Sequence, residues 1–480
     1  MDNKYIKRIV FAISLIMSII LMIMIVNAKI LPYIYMISIG IVLFIMLIGE
    51  YFLIFTRKPK SKRSLITQIL SLILSCVMIV GSFAFYKATQ AVDLMTSQSF
   101  MQRAISVVVL KDSVIKNQLQ IPKHQLGYLN SIDEETMNYA IDKISDDLGD
   151  IDVKGIKDPS SLVQDLYNED VDAIILDEAF RSLIEQDHKN FSEETRVVYQ
   201  VTQDQKMVIA KDVDVTKKPF LVYISGNDEY GDIKTVSRSD VNMLVTVNPN
   251  TKQILLLSIP RDTYYPLHRN GQYDKFTHAG IYGLQESIDT LEDMIQEDIN
   301  YYVRMNFTSF INIVDALGGI TVYSPHEFTT VKGNYHIHKG ENNLNAKEAL
   351  SFVRERKAFV DGDFERGRNQ QRMIQAIVKK VCSPAILTSF TKVIDTVSQS
   401  VEMNLTTEDI NALVKMQLSS MPTWDIQTYQ ILGDTDELPC YSSGGLTASV
   451  VVPYESSLLQ ATDYINQMMN NQKIDIQKGE

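Results

Sequence analysis

FLVYISGNDEYGDIKTVSRSDVNMLVTVNPNTKQILLLSIPRD, Phe220 to Asp262, contains three short apolar runs, Phe220–Ser225, Val241–Val247 and Gln253–Ile259. Each has the length of a strand and little polar alternation, the pattern of a sheet covered on both faces. Polar residues collect where the runs begin or end, at Gly226-Asn227-Asp228, Ser237-Arg238-Ser239-Asp240 and Pro260-Arg261-Asp262-Thr263. Ligand sites in α/β sheets gather at such strand ends, so these groups are expected to share one crevice. Helical periodicity follows at Gly283–Gln296 and Ser309–Ala316, then Gly318-Gly319 turns into a strand at Ile320–Tyr323. Further helices are expected from about Ala346, Asp363, Ala385, Thr407 and Glu455. The break at Thr216-Lys217-Lys218-Pro219 opens this unit, read as residues 217–480. The fold class is α/β, with a mostly central sheet flanked by helices.

Upstream, Ala104–Leu110, Val171–Leu176 and Arg196–Val201 read as strands, and Ile132–Leu148 and Glu178–Glu185 as helices, the first capped by Ser131 or Asp133. They suggest a small accessory α/β domain over residues 97–216, similar to half of a solute-binding protein and without catalytic residues. The Asp-rich run Ser145–Asp152 lacks the ligand spacing and central Gly of a calcium loop.

Residues 1–87 form a membrane anchor. Ile9–Asn27, Leu31–Phe55 and Leu65–Phe85 are each long enough to span a bilayer core of about 30 Å and nearly free of charge. Lys4, Lys7 and Arg8 precede the first span, and the loop Arg57–Arg63 separates the second from the third. The positive-inside rule therefore puts the N-terminus in the cytoplasm, and three crossings put everything after about residue 87 outside the cell. Glu50 reads as an interfacial residue of the second span. Cys382 and Cys440 lie in the exported part, where a bridge is permitted, but buried free thiols are the expectation. His278, His326, His336 and His338 show no metal-ligand spacing, so zinc is not expected.

The stretch Phe352–Arg372, FVRERKAFVDGDFERGRNQQR, carries Arg354, Arg356, Arg366, Arg368 and Arg372 in a chain of net charge -12. Glu355 and Glu365 can each serve a neighbour, which leaves most of this charge without a local partner. Helical periodicity from about Asp363 to Cys382 crowds arginines into a first helical turn. That is the unfavourable end of the helix dipole for cations unless an anion sits there too. Arginine forks at a helix N-terminus suit phosphate or diphosphate. An exposed basic face or intrachain ion pairs would also account for this stretch alone. Adding Arg238 and Arg261 from the strand ends makes a polyanionic ligand the stronger reading, with Asp228 and Asp240 as hard oxygen ligands for Mg2+. The overall acidity argues against nucleic acid as a partner.

Five motifs, SRSDVNMLVTVNP, LLLSIPRDTYY, DALGGITV, LNAKEALSFVRERK and DGDFERGRNQQRMI, together resemble the LytR-CpsA-Psr (LCP) family. The three-span anchor and the accessory domain look like its capsule-locus branch, the CpsA/Wzg branch. The resemblance implies a magnesium-dependent phosphotransferase that moves capsular polysaccharide from an undecaprenyl-diphosphate carrier to peptidoglycan. Its partners would be those two substrates, the membrane and other capsule-assembly membrane proteins. Carried onto this chain, the metal ligands fall on Asp228 and Asp240. The diphosphate-binding residues fall on Arg238, Arg261, Arg354, Arg356, Arg366 and Gln370. Asp240, Arg238 and Arg261 are the catalytic candidates, with Asp240 helping to deprotonate the acceptor. Where many relatives have Gly and a further Arg, this chain has Glu365 and Asn369, and Arg368 or Arg372 is expected to restore the charge. The helices of Gly283–Ala316 are the expected walls of a pocket for the polyprenyl tail. The alternative is a non-catalytic membrane regulator of capsule synthesis that binds polyprenyl-phosphate lipid or polymer.

Overall fold

The structure, a computed structural model, describes residues 3–476 apart from 56–61, 97–99, 131–133, 207–210, 229–235, 385 and 387–389. The expected helix caps Ser131 and Asp133, the basic residues Arg57, Lys58 and Lys60, and the helix start at Ala385 lie outside the described residues, as does Ser97. Three long helices lead the chain: α1 (Asn3–Ala28), α2 (Tyr33–Phe55) and α3 (Lys62–Thr96). Within them Tyr5–Ala28, Tyr33–Phe55 and Ile66–Lys87 are long and apolar enough to cross a membrane. Large apolar side chains such as Ile16, Ile37 and Ile73 face outward, as a helix surrounded by lipid requires. Glu50 departs from expectation. It is buried within the bundle, where Ser14 Oγ donates to it at 3.3 Å and itself lies 3.0 Å from the hydroxyls of Ser71 and Ser75. A carboxyl group at this depth is far less costly hydrogen-bonded between helices than facing lipid.

Next come β1 (Phe100–Leu110), β2 (Gln125–Leu129), α4 (Glu134–Leu148), β3 (Asp152–Ile156), α5 (Pro159–Tyr167), β4 (Ala173–Asp177), α6 (Arg181–Asp187), α7 (Phe191–Glu194) and β5 (Thr195–Lys206). Among the described residues the strands form a five-stranded sheet in the order β3-β2-β4-β1-β5, in which β1 runs antiparallel to both neighbours. β2 and β3 escape the sequence reading because QLGYL and DVKGI carry glycine and charge where an apolar run is looked for.

The second sheet contains the stretch that set the fold class. Its elements begin with β6 (Phe220–Asn227), β7 (Val241–Asn248), β8 (Gln253–Ile259), β9 (Tyr264–Pro266), β10 (Tyr273–Lys275), α8 (Phe276–Ala279), α9 (Leu284–Ile295), β11 (Tyr301–Asn306), α10 (Phe307–Ala316) and β12 (Ile320–Ser324). After these come β13 (Phe328–Thr329), β14 (His336–Ile337), β15 (Gly340–Leu344), α11 (Ala346–Arg354), α12 (Gly362–Val381), α13 (Phe390–Ser400), β16 (Glu402–Met403) and α14 (Thr407–Ser420). The chain ends through β17 (Asp425–Gln430), β18 (Gly433–Pro439), β19 (Thr447–Pro453) and α15 (Glu455–Met469).

Among the described residues the main sheet is six-stranded, in the order β16-β11-β6-β7-β8-β17. The pleat sends alternate residues to opposite faces. Leu221, Tyr223, Leu244, Leu255 and Leu257 meet α9 and α15, whereas Val222, Met243, Val245, Ile254 and Leu256 meet α12, α13 and α14. Both faces are thus covered, which is why the three central strands have almost no polar alternation.

The two sheets share one apolar cluster, in which Phe180 meets Tyr282 edge-on at 5.9 Å. Arg103 and Asp177 form a buried ion pair at 2.5 Å, and Arg103 also donates to the carbonyl of Ile281 at 3.5 Å. On the membrane side, α13 packs along α3, and the Tyr35 hydroxyl of α2 donates to the carbonyl of Leu418 at 3.2 Å.

Candidate active site

Strand register explains how distant charges meet. Gly226 pairs with Val241, Asn242 with Ile259, Asn227 with Asn306 and Ser258 with Gln430. The ends of β6, β8, β11 and β17 and the start of β7 therefore lie along one edge of the sheet. Asp228, Asp240 and Arg261 all leave from that edge. Asp240 is buried; its amide donates to Gly226 at 2.8 Å, and Oδ1 accepts from Arg261 Nη1 at 2.7 Å. The Asp228 amide reaches Asp240 Oδ2 at 3.4 Å. Ser225 and Ser239 hydroxyls meet at 2.8 Å, and Asn227 donates to Ser237 at 2.9 Å, bracing the Ser237–Asp240 segment. Gly280 packs on the same segment, where a Cβ would lie 2.9 Å from both Ser237 O and Ser239 N.

The remaining arginines arrive on α11 and α12. α12 crosses close over the sheet edge at Gly367, where a Cβ would fall 2.3 Å from Gln430 Nε2. Gln371 fixes the crossing by donating to Leu256 at 2.9 Å and to Tyr429 at 2.5 Å. The first turn of α12 then presents Asp363, whose carboxylate lies 3.4 Å from Arg366, 3.7 Å from Arg356 and 3.9 Å from Arg261. Arg354, the last residue of α11, stacks its guanidinium over Phe307 at 4.0 Å. Arg238, two residues before Asp240 in the chain, is half-buried and has no ion-pair partner among the described residues.

Electrostatics bear out the crowding. Burial, and then Asp240, push the Asp228 carboxyl above the ordinary carboxylate range, against the pull of Arg366, Arg354 and Arg261. Asp262 goes the other way: despite burial, Arg261 and Lys275 hold it low. Lys275 lies 3.2 Å from it and Arg261 3.5 Å. Asp228 and Asp240 face each other with acceptor-only oxygens beside a guanidinium, a donor set that suits a hard divalent cation such as Mg2+.

The structure thus joins Asp228, Asp240, Arg261, Arg354, Arg356 and Arg366, with Arg238 close by in the chain. Gln370, one turn after Arg366, points instead to a neighbouring apolar pocket and approaches the Val353 carbonyl at 3.4 Å. This narrow pocket, about 60 Å³, is lined by Ile224, Met243, Phe307, Phe310, Val353 and Met373 among others. The expected walls are half corrected. α10 contributes, but α9 lies on the opposite face of the sheet, because both faces are apolar and the periodicity of a helix does not say which it covers.

Arg368 and Arg372 do not restore the charge. Glu365 is buried and takes both, Arg368 Nε and Arg372 Nη1 each at 2.5 Å. Among the described residues Glu355 pairs with no arginine side chain; it accepts from the amides of Val331, Arg356 and Ala358. Sequence reasoning placed Asp262 among the strand-end groups but gave Asp363 and Lys275 no part at the cleft. It also passed over Arg304, buried 3.5 Å from Glu402 and 3.4 Å from the Ser237 hydroxyl. Only Asp363 had a signal, its helical spacing to Arg366. Cys382 and Cys440 are unbridged. The reading of the histidines as scattered fails for two of them: His336 and His338 gather with Glu327 on one small patch.

The profile of the LytR_cpsA_psr family matches residues 185–467. Over 242 residues the chain is 35% identical to the polyisoprenyl-teichoic acid–peptidoglycan teichoic acid transferase TagU of Bacillus licheniformis, covering 50% of this chain and 73% of that protein. It is 38% identical to the TagU of Bacillus subtilis over 220 residues, 45% of this chain and 66% of that one. The crystal structure of TagV from Bacillus subtilis aligns with 54% of this chain and 99% of its own, at 28% identity and a TM-score of 0.46.

Proposed function

Since the chain belongs to the LytR_cpsA_psr family, we propose that it is a phosphotransferase moving capsular polysaccharide from an undecaprenyl-diphosphate carrier to peptidoglycan at the outer face of the membrane. One observation carries this reading. Two facing carboxylates and four arginines meet on one sheet edge, next to an apolar pocket entered between α10, α11 and α12. A diphosphate joined to a long hydrocarbon has this polarity, charged at one end and apolar at the other. The relatives' names specify a polyisoprenyl-teichoic acid and peptidoglycan, a polyisoprenyl-linked polymer of the same polarity.

In the proposed reaction Arg261, Arg366, Arg354 and Arg356 bind the diphosphate oxygens, displacing the weak contacts to Asp363. Arg238, which has no ion-pair partner among the described residues, would join them. Asp228 and Asp240 would hold Mg2+, which when bound supplies positive charge against the phosphate oxygens. An acceptor sugar hydroxyl attacks the sugar-linked phosphorus, its proton passes to Asp240, and the bond to undecaprenyl phosphate breaks with the electron pair leaving on that phosphate. The arginines stabilise the charge that develops there. The pocket keeps the departing lipid's tail out of water.

The test incubates the full-length protein in detergent with Mg2+, an undecaprenyl-diphosphate oligosaccharide and peptidoglycan fragments, and follows products by mass spectrometry. A sugar–peptidoglycan conjugate linked through phosphate is expected, and Arg261→Ala and Asp240→Ala should not form it. Lipid bound but unconverted beside a competent acceptor would sink the enzyme and leave the non-catalytic regulator. Conversion of teichoic acid precursors alone would correct the polymer.

A further inference from the structure

Outside the cleft, three exposed side chains on the hairpin β13–β14 have no part in this chemistry. The hairpin pairs Phe328 with Ile337 and Thr329 with His336. Continued by one residue, that register sets Glu327 opposite His338, with His336 on the same face two residues away. Phe328 and Ile337 turn inward, and Phe328 packs 4.7 Å from Phe359 and 6.0 Å from Phe352. The pleat therefore fixes Glu327, His336 and His338 on the outer face. His336 Nε2 lies 3.3 Å from Glu327 Oε1, and the two imidazole rings stand 4.4 Å apart at 85°. One ligand atom from each of the three residues lies within 4.8 Å of the others. The second ring nitrogen of His336, Nδ1, is 3.4 Å from Thr329 Oγ1, the kind of outer partner that orients a ligating imidazole.

We propose that Glu327, His336 and His338 form a site for a divalent transition metal ion, with Zn2+ as the favoured occupant. Two imidazoles and one carboxylate suit Zn2+, whereas Mg2+ prefers an all-oxygen shell. Three protein ligands leave a fourth position open to water or an anion. An ion held here cross-links β13 to β14 on their outer face, adding to the buried Phe328–Ile337 pair on the inner one. Besides the packing of Phe328, polar contacts tie the hairpin to the arginine-bearing stretch. Glu355 accepts from the Val331 amide at 2.6 Å, and His326 Nε2 lies 3.7 Å from Glu365. A bound ion would stiffen the rim of the cleft through these contacts.

The test is calorimetric titration of ZnCl2 into the untagged, EDTA-washed full-length protein in detergent, with excess Mg2+ throughout to occupy the carboxylates of the cleft. One equivalent of Zn2+ is expected to bind, with slower hydrogen exchange across 329–337. His336→Ala/His338→Ala should abolish that equivalent, and Glu327→Gln should weaken it by about tenfold or more, the scale on which even an outer partner of a ligand acts. All three side chains are exposed, so the variants should melt with the parent when Zn2+ is absent. No saturable binding at micromolar Zn2+, or the same stoichiometry in the double variant, overturns the site.

Discussion

Asp228 sits where protein charge and ligand charge oppose each other. Its carboxyl is raised by burial and by Asp240, so the folded state holds its proton more tightly than the unfolded chain does. Ionised Asp228 therefore costs folding stability at neutral pH, and that cost disappears as pH falls below the ordinary carboxylate value of about 4. Asp228→Asn should melt higher than the parent at pH 7 in EDTA, and the gap should close near that lower pH. Adding Mg2+ at 100 times its Kd should stabilise the parent by about 2.7 kcal/mol and the variant hardly at all. Thermal melts over pH and Mg2+ check both, and a parent indifferent to Mg2+ would refute the metal site. Arg238 and Arg261 make a second contrast. Arg261 braces Asp240 at 2.7 Å, so Arg261→Ala should lower both the melting temperature and the activity. Arg238 has no ion pair to lose among the described residues. Arg238→Ala should cost about 10²-fold in turnover, the scale of one lost electrostatic donor, with little change in melting. These residues were legible in the sequence because charge at the end of an apolar strand has few structural uses. The link of Asp363 to Arg261 and Arg356 was not, since it forms only when α12 lies across the edge of the sheet.

α12 shows how one element settles a conflict that the sequence leaves open. Arginines in a first helical turn oppose the helix dipole, and the anticipated remedy was a bound anion. The element carries part of its own remedy in Asp363 and Glu365. Glu365, buried, takes Arg368 and Arg372 permanently; Asp363 holds Arg366, Arg356 and Arg261 only at 3.4 to 3.9 Å. Asp363 thus acts as a loose stand-in for ligand phosphate. Asp363→Asn should tighten inorganic pyrophosphate binding by up to about fivefold, the range of a partly exposed ion pair, and steepen its salt dependence. Weaker binding in titrations at two ionic strengths would instead make Asp363 part of the ligand shell. The central strands β6, β7 and β8 and the helices around them were legible to within a few residues, because apolar runs and helical periodicity state them directly; β11, β16 and β17 were not, since YYVRMN and DIQTYQ carry charge and polar residues and β16 is two residues long. The face that each helix covers was not. With both faces of β6, β7 and β8 apolar, nothing in α9 says that it packs away from the cleft.

At the scale of the whole molecule, the first sheet is joined to the site by the start of β1. There the carbonyl of Gln102 accepts from the Val236 amide at 3.2 Å, one residue before the Ser237–Asp240 segment. The next residue of β1, Arg103, is fully buried against Asp177 and reaches Ile281, whose neighbour Gly280 packs on that same segment. β1 therefore touches the segment bearing Arg238 and Asp240 from two sides. Removing one partner of a buried ion pair leaves the other charge without compensation, at a cost of about 3–5 kcal/mol. Arg103→Ala should lower the melting temperature and speed hydrogen exchange of the amides from Val236 to Asp240, while exchange in α12, which belongs to other apolar clusters, stays near that of the parent. Activity should fall with the faster exchange, since Arg238 and Asp240 lose their fixed backbone. If the variant melts lower but those amides exchange as before, the first sheet stabilises the molecule without positioning the site, and its purpose lies on its own surface.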